Sequence, residues 1–396
     1  MRVLFTCLPA TGHLHPLVPI ARALADAGHQ VAFATHASMA PLVERAGFKH
    51  SPAGTSVTSP EAGAVLGRMM TLPQSDQPVY AARHLFAELL APAMAADLTG
   101  VLDQWPADLL VRDSTELGGS IVAESRGLPH AAVSPVAVGL YQRVLDTIVE
   151  PVNALGAAHG LPPDPELAML DRYLTLHPFP PTFLDPAVRR SARTTHFIRT
   201  NPFDQSGDET LPAWVDELAD QPTVYATLGT AFNGMTDVFT AFLAGLRNEP
   251  LNLILTVGRD QDPAQFGPQP PNVHVERYIP QSLLLPFCDV VLTHGGSGTM
   301  MAALTNGLPL VMVPISADQP DNADRCAELG VGRPVELEHL SPETIRRAVH
   351  SVLGDPAYRQ RALRLRDEIR AMPGPEHAVR LLERLAAERK PLKAVA

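Results

Sequence analysis

A glycine-rich turn in the second half of the sequence carries the side chains best suited to binding phosphate. The run His294-Gly295-Gly296-Ser297-Gly298-Thr299 follows residues 289–293, whose branched apolar side chains predict a short buried strand. A helical pattern of apolar residues begins at Ser297. The first N–H groups of a helix lack partners within it and lie at the positive end of its dipole, so they bind phosphate or pyrophosphate. A tight turn that needs glycine only for packing is the alternative.

His13 and Asp113 form a second candidate site, suited to acid–base chemistry. His13 follows the first predicted strand, and Asp113 follows a later strand of the same half. Ligands of open α/β sheets bind at the carboxyl ends of strands, where both residues are expected. A neutral histidine can take a proton from a hydroxyl when a carboxylate orients its other ring nitrogen. Glu116 and His15 are the second choices, because each is expected inside the first turn of a helix.

Two further segments of the second half suit a sugar and a flat base. Asp318 and Gln319 follow a predicted strand, and a carboxylate with an amide can hold a vicinal diol. A helix cap at Asp318 with Pro320 in the first turn explains the same residues. The exposed turn at residues 277–281 could hold a base by packing and backbone contacts, and an ordinary proline-containing loop is its alternative.

Alternating strands and helices are predicted to position these side chains. The strands of the first half are predicted at residues 2–7, 30–34, 108–112 and 131–134, and those of the second half at 223–228, 252–257, 273–276, 290–293 and 310–313. Predicted helices include residues 15–27, 237–247, 319–329 and 377–389. This alternation is typical of parallel sheets that are covered by helices on both faces. The sequence therefore predicts two doubly wound α/β domains.

The length of 396 residues also predicts two domains, because one hydrophobic core rarely grows so large. We assign residues 1–204 to a first domain, 205–220 to a linker and 221–396 to a second domain, whose last helix could pack back on the first domain. The polar run at residues 201–208 marks the boundary. Residues 51–78 and 135–193 are predicted to be long insertions, which in compact domains often form lids or binding loops.

Composition indicates which classes of molecule the protein is not expected to bind. The 31 basic and 42 acidic residues give a net charge of −11 without a basic stripe, which argues against nucleic acid and anionic membranes. The sequence lacks the run of about 18 apolar residues of a membrane span and a convincing signal peptide. Its three cysteines, Cys7, Cys288 and Cys326, match no metal spacing and suit buried thiols of a cytoplasmic protein. Residues 260–262, Asp-Gln-Asp, are interpreted as solvated charges of a loop.

Several motifs occur together in an order and spacing that resemble one large family. They are Gly12-His13…Pro16…Pro19, Tyr278-Ile279-Pro280-Gln281, the 294–299 turn, Gly307-Leu308-Pro309 and Asp318-Gln319…Asn322-Ala323. The chain resembles, over nearly its whole length, GT-B-fold glycosyltransferases of the family that includes actinobacterial natural-product, macrolide and plant secondary-metabolite enzymes. The resemblance implies two Rossmann-like domains that face each other across a cleft. The first domain would bind the acceptor, lined by the insertions at residues 51–78 and 135–193, and the second domain would bind the nucleotide-sugar.

The resemblance also implies a reaction and roles for single residues. An inverting enzyme of this kind moves a (deoxy)sugar from a dTDP- or UDP-sugar to a hydroxyl of a small hydrophobic aglycone, without a cofactor or metal. His13 would be the base with Asp113 as its partner, and the remaining residues would bind the donor. In the donor site the nucleobase would contact Ile279 and Gln281, and the donor sugar would contact Asp318 and Gln319. The diphosphate would contact Thr230, His294, Gly295, Gly296, Ser297, Gly298 and Thr299.

Other functions stay open at this point. A sugar-nucleotide epimerase or a lipid-linked cell-wall glycosyltransferase can share the fold, and the chain could be a non-catalytic partner that binds nucleotide-sugars. A NAD enzyme is disfavoured because no Gly-x-Gly-x-x-Gly follows the first strand. Tyr278 stands where plant members usually carry a stacking tryptophan. The nucleotide of the donor, dTDP or UDP, is therefore left open. The acceptor, the sugar, O- against C- or N-transfer, and the oligomeric state, a homodimer included, are also left open.

Overall fold

Two parallel β-sheets form the framework of the chain, as the strand–helix alternation predicts. The computed structural model describes residues 1–134, 138–184, 193–200, 203–204, 209–230 and 232–394, with only the backbone of residues 138–142. The chain divides into a first unit, Met1–Ser206 with Met372–Ala396, and a second unit, Gly207–Ala371. Of the polar run that was predicted to link the domains, residues 201–202 and 205–208 lie outside the described residues.

The sheet of the first unit has seven parallel strands in the order β3-β2-β1-β4-β5-β6-β7. The strands are β1 Arg2–Thr6, β2 Gln30–Thr35, β3 Lys49–Pro52, β4 Leu109–Asp113, β5 His130–Val133, β6 Thr175–His177 and β7 Thr195–Phe197. Successive residues of one strand pack into different cores, since Leu109 and Val111 join one cluster and Leu110 joins another. The four predicted strands are confirmed; β3, β6 and β7 were not predicted because they are short and mostly polar.

Helices cover this sheet. They are α1 Thr11–Leu14, α2 Val18–Asp26, α3 Ala40–Arg45, α4 Pro60–Met69, α5 Gln77–Tyr80, α6 Ala91–Gln104, α7 Gly118–Ser125 and α8 Val138–Ala158, with a π-helical segment at Ala81–Leu90. The helix predicted at residues 15–27 begins at Val18, and His13 lies in the separate short helix α1. The segments predicted as insertions contain α4 and α8, whose prolines stand in the first turn of α4 and at position 151 inside α8.

The longest helical stretch of the first unit runs from Gln77 to Gln104. Among the described residues it is the one helix long and apolar enough, by length and composition, to cross a membrane. Its Leu85, Leu90, Met94 and Leu98 are buried in the first unit, as in the core helix of a globular domain. The sequence shows no uninterrupted apolar run here because charged side chains such as Glu88 divide it, so this helix was not predicted as a membrane span.

The second unit contains six parallel strands in the order β10-β9-β8-β11-β12-β13. They are β8 Thr223–Thr227, β9 Asn252–Thr256, β10 Val273–Glu276, β11 Val290–Thr293, β12 Leu310–Met312 and β13 Gly332–Pro334. The helices are α9 Thr236–Leu246, α10 Gln281–Leu284, α11 Ser297–Thr305, α12 Gln319–Glu328, α13 Pro342–Gly354 and α14 Pro356–Ala371. The five predicted strands are confirmed, whereas β13 carries too few apolar residues to be predicted.

The last helix, α15 Pro375–Glu388, belongs to the first unit although its residues fall in the range assigned to the second domain. Its apolar face, with Val379, Leu382 and Leu385, joins the same hydrophobic cluster as Ile20 and Leu24 of α2. Burial of such a face removes apolar surface from water, which favours this packing. The chain therefore returns to its first unit after completing the second.

Candidate active site

His13 and Asp113, 100 residues apart in sequence, are hydrogen-bonded in the first unit. His13 Nδ1 lies 2.6 Å from Asp113 Oδ2. Asp113 is the last residue of β4, which pairs with β1 so that Thr6 stands opposite Arg112, and α1 follows β1 closely. The Asp113 side chain is fully buried, whereas 24% of the His13 side chain is exposed. The histidine is therefore the member of the pair that solvent or a substrate can reach.

Thr115 completes this group. Its Oγ1 donates to Asp113 at 3.0 Å from Oδ1 and 2.9 Å from Oδ2, and its backbone N–H donates to Oδ1 at 3.0 Å. Burial alone would raise the pKa of Asp113, but the charge and hydrogen bond of His13, with the bonds from Thr115, lower this pKa below its ordinary value. Thr115 was not predicted to be a site residue, although a threonine two residues after an aspartate is a known local hydrogen-bonding pattern.

The ionised carboxylate decides which nitrogen of His13 carries the hydrogen. Because Asp113 can only accept hydrogen bonds, its partner Nδ1 must donate, and the lone pair of a neutral imidazole is then on Nε2. A histidine in this tautomer can act as a general base through Nε2. The carboxylate would also stabilise the imidazolium that forms.

Glu116 and His15, the second choices for the carboxylate and the base, have other contacts. Glu116 accepts from Thr6 Oγ1 at 2.6 Å and from the N–H of Gly119 at 2.9 Å, so its carboxylate joins β1 to the start of α7. Burial raises the pKa of Glu116 despite these bonds. The ring of His15 packs edge-on against Phe203, with ring centroids 5.2 Å apart. The hydrogen bond to a carboxylate thus pairs His13 with Asp113.

The 294–299 turn joins β11 to α11 in the second unit, as predicted. Gly295 has a φ of +89°, a conformation that L side chains rarely adopt. Ser297 Oγ donates to Asp318 Oδ2 at 2.5 Å. Asn322 Nδ2 donates to Gly295 O, Ser297 Oγ and Asp318 Oδ2 at 2.9, 3.2 and 3.0 Å. Asn322, which was quoted only as part of a motif, therefore ties the turn to the first turns of α12.

His294 is held between two glycines. A Cβ on Gly229 would lie 2.7 Å from His294 Cε1, and a Cβ on Gly296 would lie 2.5 Å from Nε2. Burial lowers the pKa of His294 to about 4, so the ring is neutral near pH 7. Neutral imidazole carries one N–H, which can donate to a phosphate oxygen. Gly229 was not predicted as a site residue, because its contact with His294 joins two separate loops.

Further predicted donor-site residues border the same turn. Gln281 Nε2 donates to Thr299 Oγ1 at 3.1 Å, which connects the predicted base-binding loop to the first turn of α11. Ile279 in that loop is buried, and Thr230 follows Gly229 after the end of β8. The structure thus brings Gln281 together with the phosphate turn.

Gln319 is buried, and its amide oxygen accepts from the N–H groups of Ile315 and Ser316 at 2.8 and 3.1 Å. These bonds fix the loop before α12. Asp318 directs Oδ2 toward Ser297 and Asn322.

Within the described ranges, no group of three or more His, Cys, Asp or Glu is arranged to hold a metal ion.

Comparisons with known proteins agree with this architecture. Residues 246–385 match the family model of the erythromycin biosynthesis protein CIII-like C-terminal domain. The 4'-demethylrebeccamycin synthase of Lentzea aerocolonigenes is 30% identical over 97% of this chain and 99% of its own length. The L-demethylnoviosyl transferase of Streptomyces niveus is 32% identical over 98% of this chain and 99% of its own length. The chain belongs to the actinobacterial natural-product glycosyltransferases.

Solved structures confirm the predicted GT-B fold of this glycosyltransferase. The glycosyltransferase VinC, solved in complex with dTDP, has a TM-score of 0.80 and 26% identity, over 98% of this chain and all of that chain. A Streptomyces glycosyltransferase, SsfS6, solved with thymidine diphosphate, has a TM-score of 0.78 and 26% identity over 97% of this chain and 99% of its own. The protein is accordingly a nucleotide-sugar-dependent enzyme of natural-product biosynthesis.

Proposed function

We propose that this glycosyltransferase moves a (deoxy)sugar from a dTDP- or UDP-sugar to a hydroxyl of a small hydrophobic natural-product aglycone, with inversion at the anomeric carbon. The hydrogen bond of 2.6 Å between His13 and the buried Asp113 is the observation that carries the proposal. The name of one relative, an L-demethylnoviosyl transferase, specifies the transfer of a demethylnoviosyl group, and two structural neighbours were solved with thymidine diphosphate. Those neighbours favour dTDP as the donor nucleotide.

His13 supplies the base of this reaction. The proton of the acceptor hydroxyl moves to Nε2 of His13 while the hydroxyl oxygen forms a bond to the anomeric carbon. The bond from that carbon to the diphosphate oxygen breaks, and the electron pair leaves with the nucleoside diphosphate. Asp113 stabilises the imidazolium. Because attack comes from the face opposite the leaving group, a single displacement inverts the configuration.

The start of α11 stabilises the leaving group. Negative charge grows on the diphosphate as its bond to the sugar breaks. The N–H groups of Ser297, Gly298 and Thr299 belong to the first turn of this nine-residue helix, where the helix dipole adds partial positive charge. The hydrogen bonds among Ser297, Asp318 and Asn322 fix that turn before the donor binds. Preorganised donors of this kind can replace a metal ion, so we propose catalysis without metal.

The remaining donor contacts follow from the same turn. We assign the phosphate side to His294, Gly295, Gly296 and Thr230, the base to Ile279 and Gln281, and the sugar hydroxyls to Asp318 and the amide nitrogen of Gln319. Cytoplasmic location, and a lack of nucleic-acid and membrane partners, remain predictions from composition.

The configuration of the product tests the reaction. We expect the enzyme to transfer sugar from a dTDP- or UDP-sugar of known anomeric configuration to a hydroxylated polyketide-like aglycone in the presence of EDTA. Nuclear magnetic resonance of the product should show the opposite anomer, because one displacement occurs. Retention of configuration, strict dependence on added metal, or epimerisation of the donor without acceptor would each contradict the proposal.

Calorimetric titration tests the donor site. We expect dTDP or UDP to bind without added metal and NAD not to bind. Gly296→Ala should weaken nucleotide binding about tenfold, because its Cβ would collide with the His294 ring at 2.5 Å. Gly354→Ala is the matched control, since a Cβ there meets nothing within 4 Å. Equal affinities of the two variants for the nucleotide would show that the position of the His294 ring does not affect nucleotide binding.

A further inference from the structure

Arg112 is a charged side chain in the interior of the first unit. It precedes Asp113 in β4 and is fully buried. Its Nη1 donates to the carbonyl oxygens of Ser114, Asp113 and Glu116 at 2.9, 3.2 and 3.3 Å. Its Nη2 donates to the carbonyl oxygen of Leu170 at 2.5 Å. Burying a guanidinium costs free energy, which these hydrogen bonds offset although the buried Nε has no partner within the described part of the chain, so the side chain favours a particular backbone shape.

The backbone that Arg112 holds is the Asp113 turn, defined as residues 113–116. Three of its four carbonyl groups converge on one guanidinium nitrogen. The planar guanidinium presents its donors in a fixed fork, so the carbonyl groups can meet it in few conformations. The same turn carries two side chains that contact the ring of His13, Asp113 and Thr115.

Leu170 extends this network beyond the turn. It ends the short 3₁₀-helix Ala168–Leu170, which lies between α8 and β6 in the segment predicted to line the acceptor site. The guanidinium therefore joins the turn that bears the base partner to a segment far away in sequence. A neutral or shorter side chain at position 112 could not bridge these carbonyl groups in the same way.

We propose that Arg112 is a positioning residue, whose buried guanidinium fixes the Asp113 turn so that Asp113 and Thr115 orient His13. Arg112 acts through this turn and not on the substrate itself. The inference rests on the proposed function, because it assigns a role to a residue behind the His13–Asp113 pair. It adds a residue that the motif pattern did not indicate.

A double-mutant cycle tests this role. The variants Arg112→Met and Arg112→Lys are made in the wild-type enzyme and in the Asp113→Asn background, and turnover is measured per dTDP-binding site. We expect Arg112→Met to lower kcat about 30-fold in the wild type, because small displacements of catalytic groups are costly. The same change should cost less than about threefold in Asp113→Asn, since the group that Arg112 positions is already lost.

Controls separate positioning from general damage. The affinity for dTDP should stay within about twofold, because the phosphate turn belongs to the second unit. Arg126→Met, which removes an arginine of the same unit with contacts to Thr99 O and Asp103, should keep wild-type kcat. Arg112→Lys keeps the buried charge and should still lose kcat, since it cannot reach the four carbonyl groups.

Equal losses from Arg112→Met in both backgrounds, or wild-type kcat per binding site in Arg112→Lys, would overturn the positioning role. Failure of the proposed function is distinguishable. Wild-type turnover in the single variant Asp113→Asn would refute the His13–Asp113 mechanism itself, whereas additive effects with an inactive Asp113→Asn would refute only the role of Arg112.

Discussion

His13→Ala is expected to lower kcat about 10³-fold while leaving the affinity for dTDP unchanged. A positioned general base contributes about 10² to 10⁴ to a rate, and alanine removes the only group that we assign to accept the acceptor proton. Nucleotide binding should persist because His294 and α11 belong to the other unit of the chain. Steady-state kinetics with saturating donor, together with dTDP titration, measure the two effects separately.

His15→Ala is the matched control for this prediction. His15 is the alternative base, and its ring packs on Phe203 at 5.2 Å. We expect His15→Ala to change kcat less than about threefold, and added imidazole to restore part of the activity of His13→Ala. Full activity in His13→Ala with loss of activity in His15→Ala would exchange the roles of the two histidines.

Asp113→Asn is expected to lower kcat by about 10² to 10⁴, although the side chains are nearly the same size. The amide NH₂ can donate to Nδ1 of His13, which would move the imidazole hydrogen to Nε2 and remove the basic lone pair there. A change of tautomer in a His–Asp pair has an effect of this order. The measurement is kcat for the purified variant, with dTDP affinity as the check on folding.

Glu116→Gln is the control, since Glu116 is the other buried carboxylate of this loop. The amide of glutamine can still accept from Gly119 and contact Thr6, the present partners of Glu116. We therefore expect a loss of kcat below about tenfold. A larger loss in Glu116→Gln than in Asp113→Asn would contradict our choice of Asp113 as the base partner.

The sequence by itself determined the features that depend on neighbouring residues. The phosphate turn lies within six consecutive residues, and its strand, its glycines and its following helix are all visible in the local pattern. The main strands were likewise predictable, because buried parallel strands need continuous runs of branched apolar side chains. Serine is a preferred residue at the start of a helix, and Ser341 does cap α13, because its Oγ accepts from the N–H of Thr344 at 3.1 Å.

Only the tertiary structure decided which distant side chains meet. Asp113 and Glu116 lie three residues apart, and the direction of each side chain from the loop assigns one to His13 and the other to Thr6. The contacts of Arg112 with Leu170 and of Gly229 with His294 likewise join segments that are separate in sequence. The amphipathic pattern of α15 predicts a buried face, and packing against the first domain was one arrangement the sequence allowed; the tertiary structure shows that the helix takes it. Local patterns set local conformation, whereas the pairing of distant groups depends on the packing of the whole chain.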